Sequence, residues 1–464
     1  MRIIVVKNSQ LLGVLEEKYN TFSFSYDDSI AKNAYLANLK SKINYSDELF
    51  SVFENLIPEN EVIESLKLEN SIKNQIGILL HLDNINGSFE FYLEENFNET
   101  LLGESETFTY NDVIDHILQS DYTYPNILKE YSLEDIKENK VHPVELDKIA
   151  EENAMGLSGF QYKFAVSLDH NKKKVKVTDE KDDLYFIKPY NKARCVFKKR
   201  GDNKNYLPYL SINEHIFMTL ARDFGFKIPY NAIVKGEVDY HYIIKRFDNH
   251  NGVKIDHIDF LALLGKSSKE KYNINIQELI KMVSEKLSTD QILLLYKFLV
   301  FSVIIKHGDL HAKNLSLIFK SNDINETEFQ LSPFYDISTT KIYKKNLQQR
   351  DIRIKIASNF KDDITRKDLL YAADKLGIPG NEALSIIKEF ATKFLTTFSS
   401  KYIKPLPNEI KSLPFYNLSG YGSKTLEVVF QEYIESRQRE LNENLGFEIY
   451  VARAVETNPI NINW

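Results

Sequence analysis

The sequence predicts an α+β fold in which strands and helices are separated along the chain. Between residues 156 and 250, short apolar segments alternate or run continuously, as strands do. After residue 255, apolar residues recur three and four positions apart, as they do in amphipathic helices. The residues before about 140 mix both patterns. We therefore expect a small α+β accessory domain at 1–140, a β-rich lobe at 141–250 and an all-helical lobe at 251–464.

The predicted accessory domain begins with a β-hairpin, since RIIVVKNSQLLGVLEE holds two apolar segments separated by Asn8 and Ser9. NTFSFSYDD alternates with period two and predicts a third strand. DELFSVFENLIPENEVIESL predicts a helix that breaks or restarts at Pro58. HLDNINGSFEFYL is typical of a turn followed by a strand. A charged linker around EYSLEDIKENKVHPVELDKIAEEN then leads to the β-rich lobe.

The two lobes are predicted from segments of different periodicity: a period of two in the strands and a spacing of three and four residues in the helices. Strands are expected in FQYKFAVSL, KKVKVT, DLYFIKP, NAIVKGE and YHYIIKRF, with one helix, LSINEHIFMTLARDFG, between the third and the fourth. Helices are then expected in DFLALLG, NIQELIKMVSEKL, TDQILLLYKFLVFSVII, TRKDLLYAADKLG, NEALSIIKEFATKFLTTFSSKY and SKTLEVVFQEYIESRQREL.

Composition excludes several classes of protein. A net charge of −7 gives no overall attraction to nucleic acid or anionic membrane. Because Cys195 is the single cysteine, the chain has no internal disulfide and no cysteine-based zinc site. The most apolar segment, 292–305, contains Lys297 and is too short to span a bilayer. We expect a soluble cytoplasmic protein.

The stretch FSVIIKHGDLHAKNLSLIF, residues 301–319, places polar residues between two apolar segments. Asp309 is followed by Asn314 after five positions, a spacing typical of the catalytic loop of phosphotransferases. In such a loop the aspartate accepts or orients the proton of the attacking hydroxyl, and the asparagine carbonyl holds Mg²⁺. Asp336, 27 residues after Asp309, follows a strand-like segment and is the candidate second metal ligand. Its alternative role is a helix N-cap.

Upstream segments supply candidates for nucleotide binding. MGLSGFQYKF is a glycine-containing turn whose backbone N–H groups are suited to phosphate, although an ordinary β-turn explains it equally well. Lys188 ends an apolar strand, where it would reach phosphates and pair with Glu214 on the next helix; an exposed strand-end lysine is the alternative. Backbone groups at Lys245 and Phe247 are candidates for adenine, and Asp248 for ribose.

A metallohydrolase is the competing interpretation of the polar loop, because His307, Asp309 and His311 alternate as metal ligands do. It leaves Asn314 without a role, and the other eight histidines are scattered along the chain. We expect His307 to brace the loop backbone instead.

Taken in order, LSGFQYKF, FIKP, NEHIFMTLARDFGF, IIKRFD, DFLALLG…KY, HGDLHAKNLSL and SPFYDIST resemble the HipA family of serine/threonine kinases, the toxins of bacterial toxin–antitoxin modules. The N-terminal part resembles the accessory domain of that family through LLGVLEEKYNTFSFSYDD and FENLIPENEV, so that the resemblance covers nearly the whole chain. It implies a bilobal protein-kinase-like fold with a β-rich N-lobe and an all-helical C-lobe. HGDLHxxN alone is less specific, because aminoglycoside and choline kinases also carry it.

The resemblance implies a role for each candidate residue. Asp309 would be the catalytic base, Asn314 and Asp336 the Mg²⁺ ligands, and Lys188 the ligand of ATP phosphates. The further residues implied in nucleotide binding are Ser158, Gly159, Gln161, Lys163, Glu214, Lys245, Phe247, Asp248 and His311. In the family, a serine of the phosphate-binding loop is autophosphorylated, which expels the loop and inactivates the kinase. Its usual position is Gly156 here, so Ser158 is the candidate, with a turn-capping serine as the alternative.

The resemblance also implies partners. A HipB-like helix-turn-helix antitoxin is expected, with DNA contacted only indirectly through it and no contact with a membrane. The expected substrate is a translation factor such as an aminoacyl-tRNA synthetase. Two other functions stay open: a small-molecule kinase of the aminoglycoside type, and a non-catalytic nucleotide-binding scaffold that holds a repressor. Transfer of labelled phosphate to protein distinguishes both from a protein kinase.

Overall fold

A computed structural model of the chain describes residues 1–57, 72, 74–82, 87–102, 108–118, 122–134, 163–177, 185–198, 203, 206–250, 253–343, 350–356, 363–416 and 422–449. Its described strands and helices form three regions, in the order that the sequence predicts. The predicted loop residues Ser158, Gly159 and Gln161, and Gly156 near them, lie outside the described residues.

The N-terminal region is a five-stranded antiparallel sheet with strand order β4-β3-β2-β1-β5. Its strands are β1 (Arg2–Lys7), β2 (Gln10–Lys18), β3 (Thr21–Tyr26), β4 (Ile43–Ser46) and β5 (Phe89–Leu93). The predicted hairpin is confirmed: Asn8 and Ser9 join β1 to β2 with φ of 51° and 58°, the left-handed pair that suits a tight hairpin turn. Of the helix predicted in this region, the described part is α1 (Ser51–Glu54).

The second region is a six-stranded sheet with order β10-β11-β9-β7-β8-β6. Its strands are β6 (Ser132–Glu134), β7 (Phe164–Asp169), β8 (Lys174–Val177), β9 (Tyr185–Lys188), β10 (Asn231–Lys235) and β11 (Tyr240–Lys245). Within the described residues, the helices that precede or accompany them are α2 (Tyr110–Leu118), α3 (Lys192–Cys195) and α4 (Leu210–Asp223). β6 comes from the range predicted as accessory domain, yet it pairs in parallel with β8.

The third region is mainly helical and has a continuous apolar core shared with α4. Its helices are α5 (Phe260–Leu263), α6 (Ile276–Ser284), α7 (Thr289–Ile305), α8 (Arg366–Lys375), α9 (Gly380–Phe398), α10 (Asn408–Lys411) and α11 (Leu426–Leu445). The C-terminal half of α7 is buried from Phe298 to Ile305. Such a helix, apolar on all sides, must lie at the centre of its lobe.

This lobe is not all-helical, which corrects one part of the sequence prediction. After the hairpin strands β12 (Asn249–His250) and β13 (Val253–Lys254) come the strands β14 (His257–Asp259), β15 (Ile274–Asn275), β16 (Ser316–Phe319), β17 (Phe329–Leu331), β18 (Ile354–Lys355), β19 (Pro414–Tyr416) and β20 (Ser423–Thr425). β14, β16 and β17 form a small sheet, and β15 pairs in parallel with β18. Segments of two to four residues are too short for periodicity to reveal them.

None of the helices within the described ranges is both long enough and apolar enough to cross a lipid bilayer.

Candidate active site

The polar loop predicted from HGDLHAKN follows the end of the buried helix α7. Lys306 adopts a left-handed conformation with φ of 56° and ends the helix. The His307 N–H then donates to the Ser302 carbonyl oxygen at 2.8 Å. A Cβ on Gly308 would lie 2.3 Å from Thr340 Oγ1 and 2.7 Å from the Arg350 carbonyl oxygen. Only glycine allows the segments carrying Thr340 and Arg350 to pack this closely against the loop.

The loop is also fixed by Arg353 and by its own polar groups. Arg353 donates from Nε to the Gly308 carbonyl oxygen at 3.0 Å and from its backbone N–H to the Leu310 carbonyl oxygen at 2.9 Å. Asn314 Oδ1 accepts the His311 N–H at 3.2 Å. Asp309 and Asn314, like the two loop histidines, are at most 3% exposed. The chain therefore holds the two predicted catalytic side chains in a buried, hydrogen-bonded turn.

The two histidines of the loop are neutral at pH 7. Burial lowers the pKa of His307 to about 4, and the charge of Asp336 opposes this only partly. Burial also holds the pKa of His311 well below its usual range, and Lys271 and Lys313 lower it further. The bracing role expected for His307 stays a prediction.

Lys188 lies at the centre of a buried ionic cluster. Its Nζ is 2.6 Å from Glu214 Oε1 on α4 and also pairs with Asp336. Burial alone would lower the pKa of Lys188, but the charges of Asp336 and Glu214 outweigh burial and raise it. Lys188 is therefore a fixed positive charge, since the two neighbouring carboxyl groups favour its protonated form. The expected contact with Glu214 is present, and the ATP role of Lys188 remains a prediction.

Asp336 receives a second cation from Lys163, whose Nζ is 3.6 Å from Oδ2. Burial would raise the pKa of Asp336, but Lys163 and Lys188 outweigh it and hold the pKa below its usual range. Burial raises the pKa of Glu214 to about 7, although the charge of Lys188 opposes the rise. Of the two carboxyl groups facing Lys188, Asp336 is therefore the one that remains fully ionised at neutral pH.

The segment around Asp336 is attached to the polar loop on both sides. Asp336 itself has a positive φ of 57°, a conformation that non-glycine residues adopt at a cost. Before it, the Tyr335 hydroxyl donates to the Lys313 carbonyl oxygen at 3.0 Å. After it, the Thr340 N–H donates to the Lys306 carbonyl oxygen at 3.2 Å. These bonds bring Asp336 and the loop into one site.

Asn213, which the sequence analysis did not single out, connects this segment to α4. Its amide donates to the Thr339 carbonyl oxygen at 2.8 Å and accepts the Thr339 N–H at 3.2 Å. Asn213 is next to Glu214, so the same helical turn holds both the Asp336 segment and Lys188. The signal in the sequence that points to Asn213 is its position beside Glu214, a predicted site residue.

α11 holds the end of α7, directly before the polar loop, through hydrogen bonds. Arg437 donates from Nη2 to the Val303 carbonyl oxygen at 2.8 Å and from Nε to the Ile304 carbonyl oxygen at 3.0 Å. The Tyr433 hydroxyl donates to the Ile305 carbonyl oxygen at 2.8 Å. The last carbonyl groups of a helix have no partner within it. Here α11 supplies donors for three of them, directly before the polar loop begins.

In the segment predicted to bind adenine and ribose, Lys245 and Asp248 are buried and Phe247 is partly buried. Lys245 donates its backbone N–H to the Tyr230 carbonyl oxygen at 2.8 Å. The ring of Phe247 stacks on that of Tyr335, with centroids 5.5 Å apart.

Both oxygens of Asp248, the residue expected to bind ribose, face Arg246. The distances are 2.8 Å from Nε to Oδ1 and 2.7 Å from Nη2 to Oδ2. The Gly87 N–H also donates to Oδ2, at 3.1 Å. The carboxylate therefore makes its contacts inside the protein, and the nucleotide roles of Lys245, Phe247 and Asp248 stay predictions.

The residues proposed to hold Mg²⁺ have suitable chemistry. The Asp336 carboxylate and the Asn314 amide oxygen are hard oxygen donors, which Mg²⁺ prefers. The ionised state of Asp336 agrees with such a role, since a metal ligand must be deprotonated. Within the described ranges, no three His, Cys, Asp or Glu side chains form a cluster able to hold a metal ion.

Comparison with known proteins identifies the family. Residues 155–398, more than half of the chain, match the family model described as the HipA-like C-terminal domain. The chain belongs to this family.

Curated relatives carry names that refer to kinases. A Haemophilus influenzae protein named "Putative kinase" is 22% identical over 212 residues, which cover 42% of this chain and 56% of the relative. A Sinorhizobium fredii protein named "Putative kinase Y4dM" is 31% identical over 144 residues, which cover 28% of this chain and 34% of the relative. The chain thus spans between one third and somewhat over half of the length of these relatives.

A solved structure of similar fold is HipA of Shewanella oneidensis MR-1, in a complex with HipB and its operator DNA. Its TM-score is 0.63 at 17% sequence identity, with 96% of this chain and 98% of that chain covered. The similarity establishes that the fold extends over nearly the whole chain, including the accessory region outside the family model.

Proposed function

We propose that this protein is an ATP- and Mg²⁺-dependent kinase that phosphorylates serine or threonine hydroxyls of a protein. The proposal rests on one observation: an ionic cluster and the polar loop, which come from different parts of the chain, meet in one site. Lys188, Glu214 and Asp336 form an ionic cluster, and hydrogen bonds on both sides of Asp336 attach it to the loop that holds Asp309 and Asn314.

The residues of the site suit each part of phosphoryl transfer. The acceptor hydroxyl oxygen forms a bond to the γ-phosphorus while the bond to the β,γ-bridging oxygen breaks, and ADP leaves. The acceptor proton passes to the Asp309 carboxylate. Lys188, kept protonated by its two carboxyl neighbours, binds the phosphates of ATP. Mg²⁺ held by Asn314 and Asp336 would neutralise phosphate charge. Because the site is buried, these charges act with less screening than in water.

The substrate and partners belong to the same proposal. We infer a protein acceptor involved in translation, such as an aminoacyl-tRNA synthetase, and a toxin role opposed by a HipB-like antitoxin. The support is the family membership together with a fold shared with a HipA that was solved with HipB and DNA. The net charge of −7 favours DNA contact through the partner rather than through this chain.

The test uses γ-labelled Mg-ATP with the purified chain, alone and with a lysate. We expect ADP release and transfer of label to protein by the wild type. In Asp309→Asn we expect both to fall by at least about 10²-fold, because general-base contributions are of that size. Asp374→Asn, which alters an exposed aspartate of α8, is the matched control and should behave as the wild type.

Three outcomes decide between the functions. Label found only on small molecules would indicate the aminoglycoside-type alternative. Nucleotide binding without any ADP release would indicate the scaffold. Wild-type activity in Asp309→Asn would refute the catalytic assignment. Phosphopeptide mapping of the same reaction tests Ser158, which stays unmodified in an active protein if the autophosphorylation hypothesis is wrong.

A further inference from the structure

Tyr272, the last residue of the segment DFLALLG…KY, contacts the proposed catalytic aspartate, and the sequence analysis assigned it no role of its own. Its hydroxyl donates to Asp309 Oδ1 at 3.4 Å. Tyr272 comes two residues before β15, which pairs in parallel with β18 through Ile274 and Ile354. This pairing places Tyr272 beside Arg353, the residue that also bonds the backbone on both sides of Asp309.

The ring of Tyr272 is fixed from several directions. Arg353 Cζ lies 5.3 Å from its centroid and Lys271 Nζ lies 5.0 Å from it. The His311 ring meets it edge-on, with centroids 5.3 Å apart. Cations near an aromatic face are attracted to it. The ring thus has little freedom to turn, and the direction of its hydroxyl is set by groups that belong to the loop or bind it.

An aspartate carboxylate needs such a partner to be oriented. The terminal torsion of aspartate is broad and roughly two-fold, so packing of its methylene alone does not select one orientation. Misplacing a reacting group by about 1 Å can cost about 10²-fold in rate. A hydroxyl donor on one oxygen therefore fixes the carboxylate plane relative to the acceptor.

We propose that Tyr272 is a positioning residue for phosphoryl transfer, acting by holding the Asp309 carboxylate through Oδ1. The inference rests on the proposed function, because it assigns Asp309 the role of base. It separates the two parts of the tyrosine: the ring packs between Lys271, Arg353 and His311, and the hydroxyl is the part that contacts Asp309.

Tyr272→Phe tests this separation, since it keeps the ring and removes only the donor. We measure ADP release from Mg-ATP by the purified chain, a reaction in which water serves as acceptor. The expected result is a fall in kcat of about tenfold with KM for ATP unchanged, because the contact assigned to this hydroxyl is with Asp309 and not with the nucleotide. The midpoint of thermal unfolding should match that of the wild type.

Tyr371→Phe is the matched control. Its hydroxyl accepts a hydrogen bond from Gln277 Nε2 at 2.8 Å on the surface of the same lobe. The substitution removes the same atom and one hydrogen bond, but it lies away from Asp309. We expect wild-type kcat.

Unchanged kcat in Tyr272→Phe would overturn the proposal, as would a fall in kcat accompanied by an equal loss of thermal stability and of ADP binding. The proposed function is tested separately, by Asp309→Asn. If Asp309→Asn is inactive while Tyr272→Phe is normal, only the role of Tyr272 is lost. If Asp309→Asn keeps wild-type activity, the assignment of the base is wrong whatever Tyr272→Phe does.

Discussion

Asp248 is buried and Asp336 is largely buried, and each carboxylate contacts cations, but the cations differ. The pKa of each lies below its usual range: burial alone would raise it, but the neighbouring positive charges outweigh burial. Asp248 is held by the guanidinium of Arg246 through two parallel hydrogen bonds. Asp336 faces two lysines, of which Lys163 is 39% exposed.

The kind of cation determines what each aspartate is able to do. A bidentate guanidinium is rigid and always charged, whereas an ammonium is a single point charge on a flexible stem. Asp248 also accepts the Gly87 N–H and so joins the accessory region to the segment that links the two lobes. Asp336 has a partner that can move into solvent and leave its carboxylate to a ligand. Asp248 is therefore suited to stabilising the fold, and Asp336 is suited to binding a ligand in place of Lys163.

Removing the charge of Asp248 should therefore have the larger effect on stability. Asp248→Asn leaves Arg246 buried without its carboxylate, a change that typically costs about 3–5 kcal/mol. Asp336→Asn should lower the free energy of unfolding by less, because Lys188 keeps Glu214 as a partner and Lys163 is partly exposed. Urea unfolding followed by circular dichroism compares the two variants. Equal losses in both would show that the lysines bind Asp336 as firmly as Arg246 binds Asp248.

The pH dependence of stability should sharpen the same contrast. A carboxyl group whose pKa is depressed by folding adds stability above its unfolded pKa and loses that contribution as the pH falls through the folded value. For Asp248 the unfolded value is about 3.9. The difference in unfolding free energy between wild type and Asp248→Asn should thus be constant above about pH 5 and shrink below about pH 4.

Asp374→Asn is the control for this pH series, since its carboxylate is 75% exposed, and it should follow the wild type at every pH. A wild-type advantage over Asp248→Asn that persists undiminished in acid would contradict an ionic contribution from Asp248.

The smallest difference is expected between two glycine variants, at Gly87, whose backbone contacts Asp248, and at Gly377. Gly87 has φ of +75°, and a Cβ there would lie 2.9 Å from Asp256 Oδ1. Gly377 has nearly the same φ, +73°, with no atom within 4 Å of such a Cβ. Both Gly→Ala variants carry the cost of the left-handed conformation, about 1–2 kcal/mol. Gly87→Ala should be less stable than Gly377→Ala in thermal unfolding, and equal stability would show that the accessory contact is not tight.

The sequence predicted those features that depend on neighbours along the chain. The Asn8–Ser9 hairpin, the helix α7 and the polar turn after it follow from local patterns of apolar and polar residues. The pairing of Lys188 with Glu214 was also anticipated, because one ends a buried strand and the other lies on the next helix. A buried lysine requires a carboxylate, which narrows the choice of partner.

The features that the sequence did not predict depend on long-range contacts. Asp248 was assigned to ribose from its place after a strand, and nothing in the sequence shows that Gly87, 161 positions earlier, donates its N–H to the carboxylate. The bonds of Asn213 to Thr339 join residues 126 positions apart. The short strand β6 lies in the range assigned to the accessory domain, although it pairs with β8 in the six-stranded sheet. Periodicity describes one segment at a time and contains no information on such partners.

The hydrogen-bond donors of α11 are synthesised well after the loop that they support. Arg437 and the carbonyl group of Ile304 that it binds are 133 residues apart along the chain, so the helix end that carries the polar loop receives its support late in synthesis. A nascent chain that has passed Asn314 but not Arg437 already contains Asp309, Lys188 and Glu214. It nevertheless lacks the donors that hold the end of α7 in place. Assembly of this site on the ribosome must therefore wait for a helix that is made long after the loop itself.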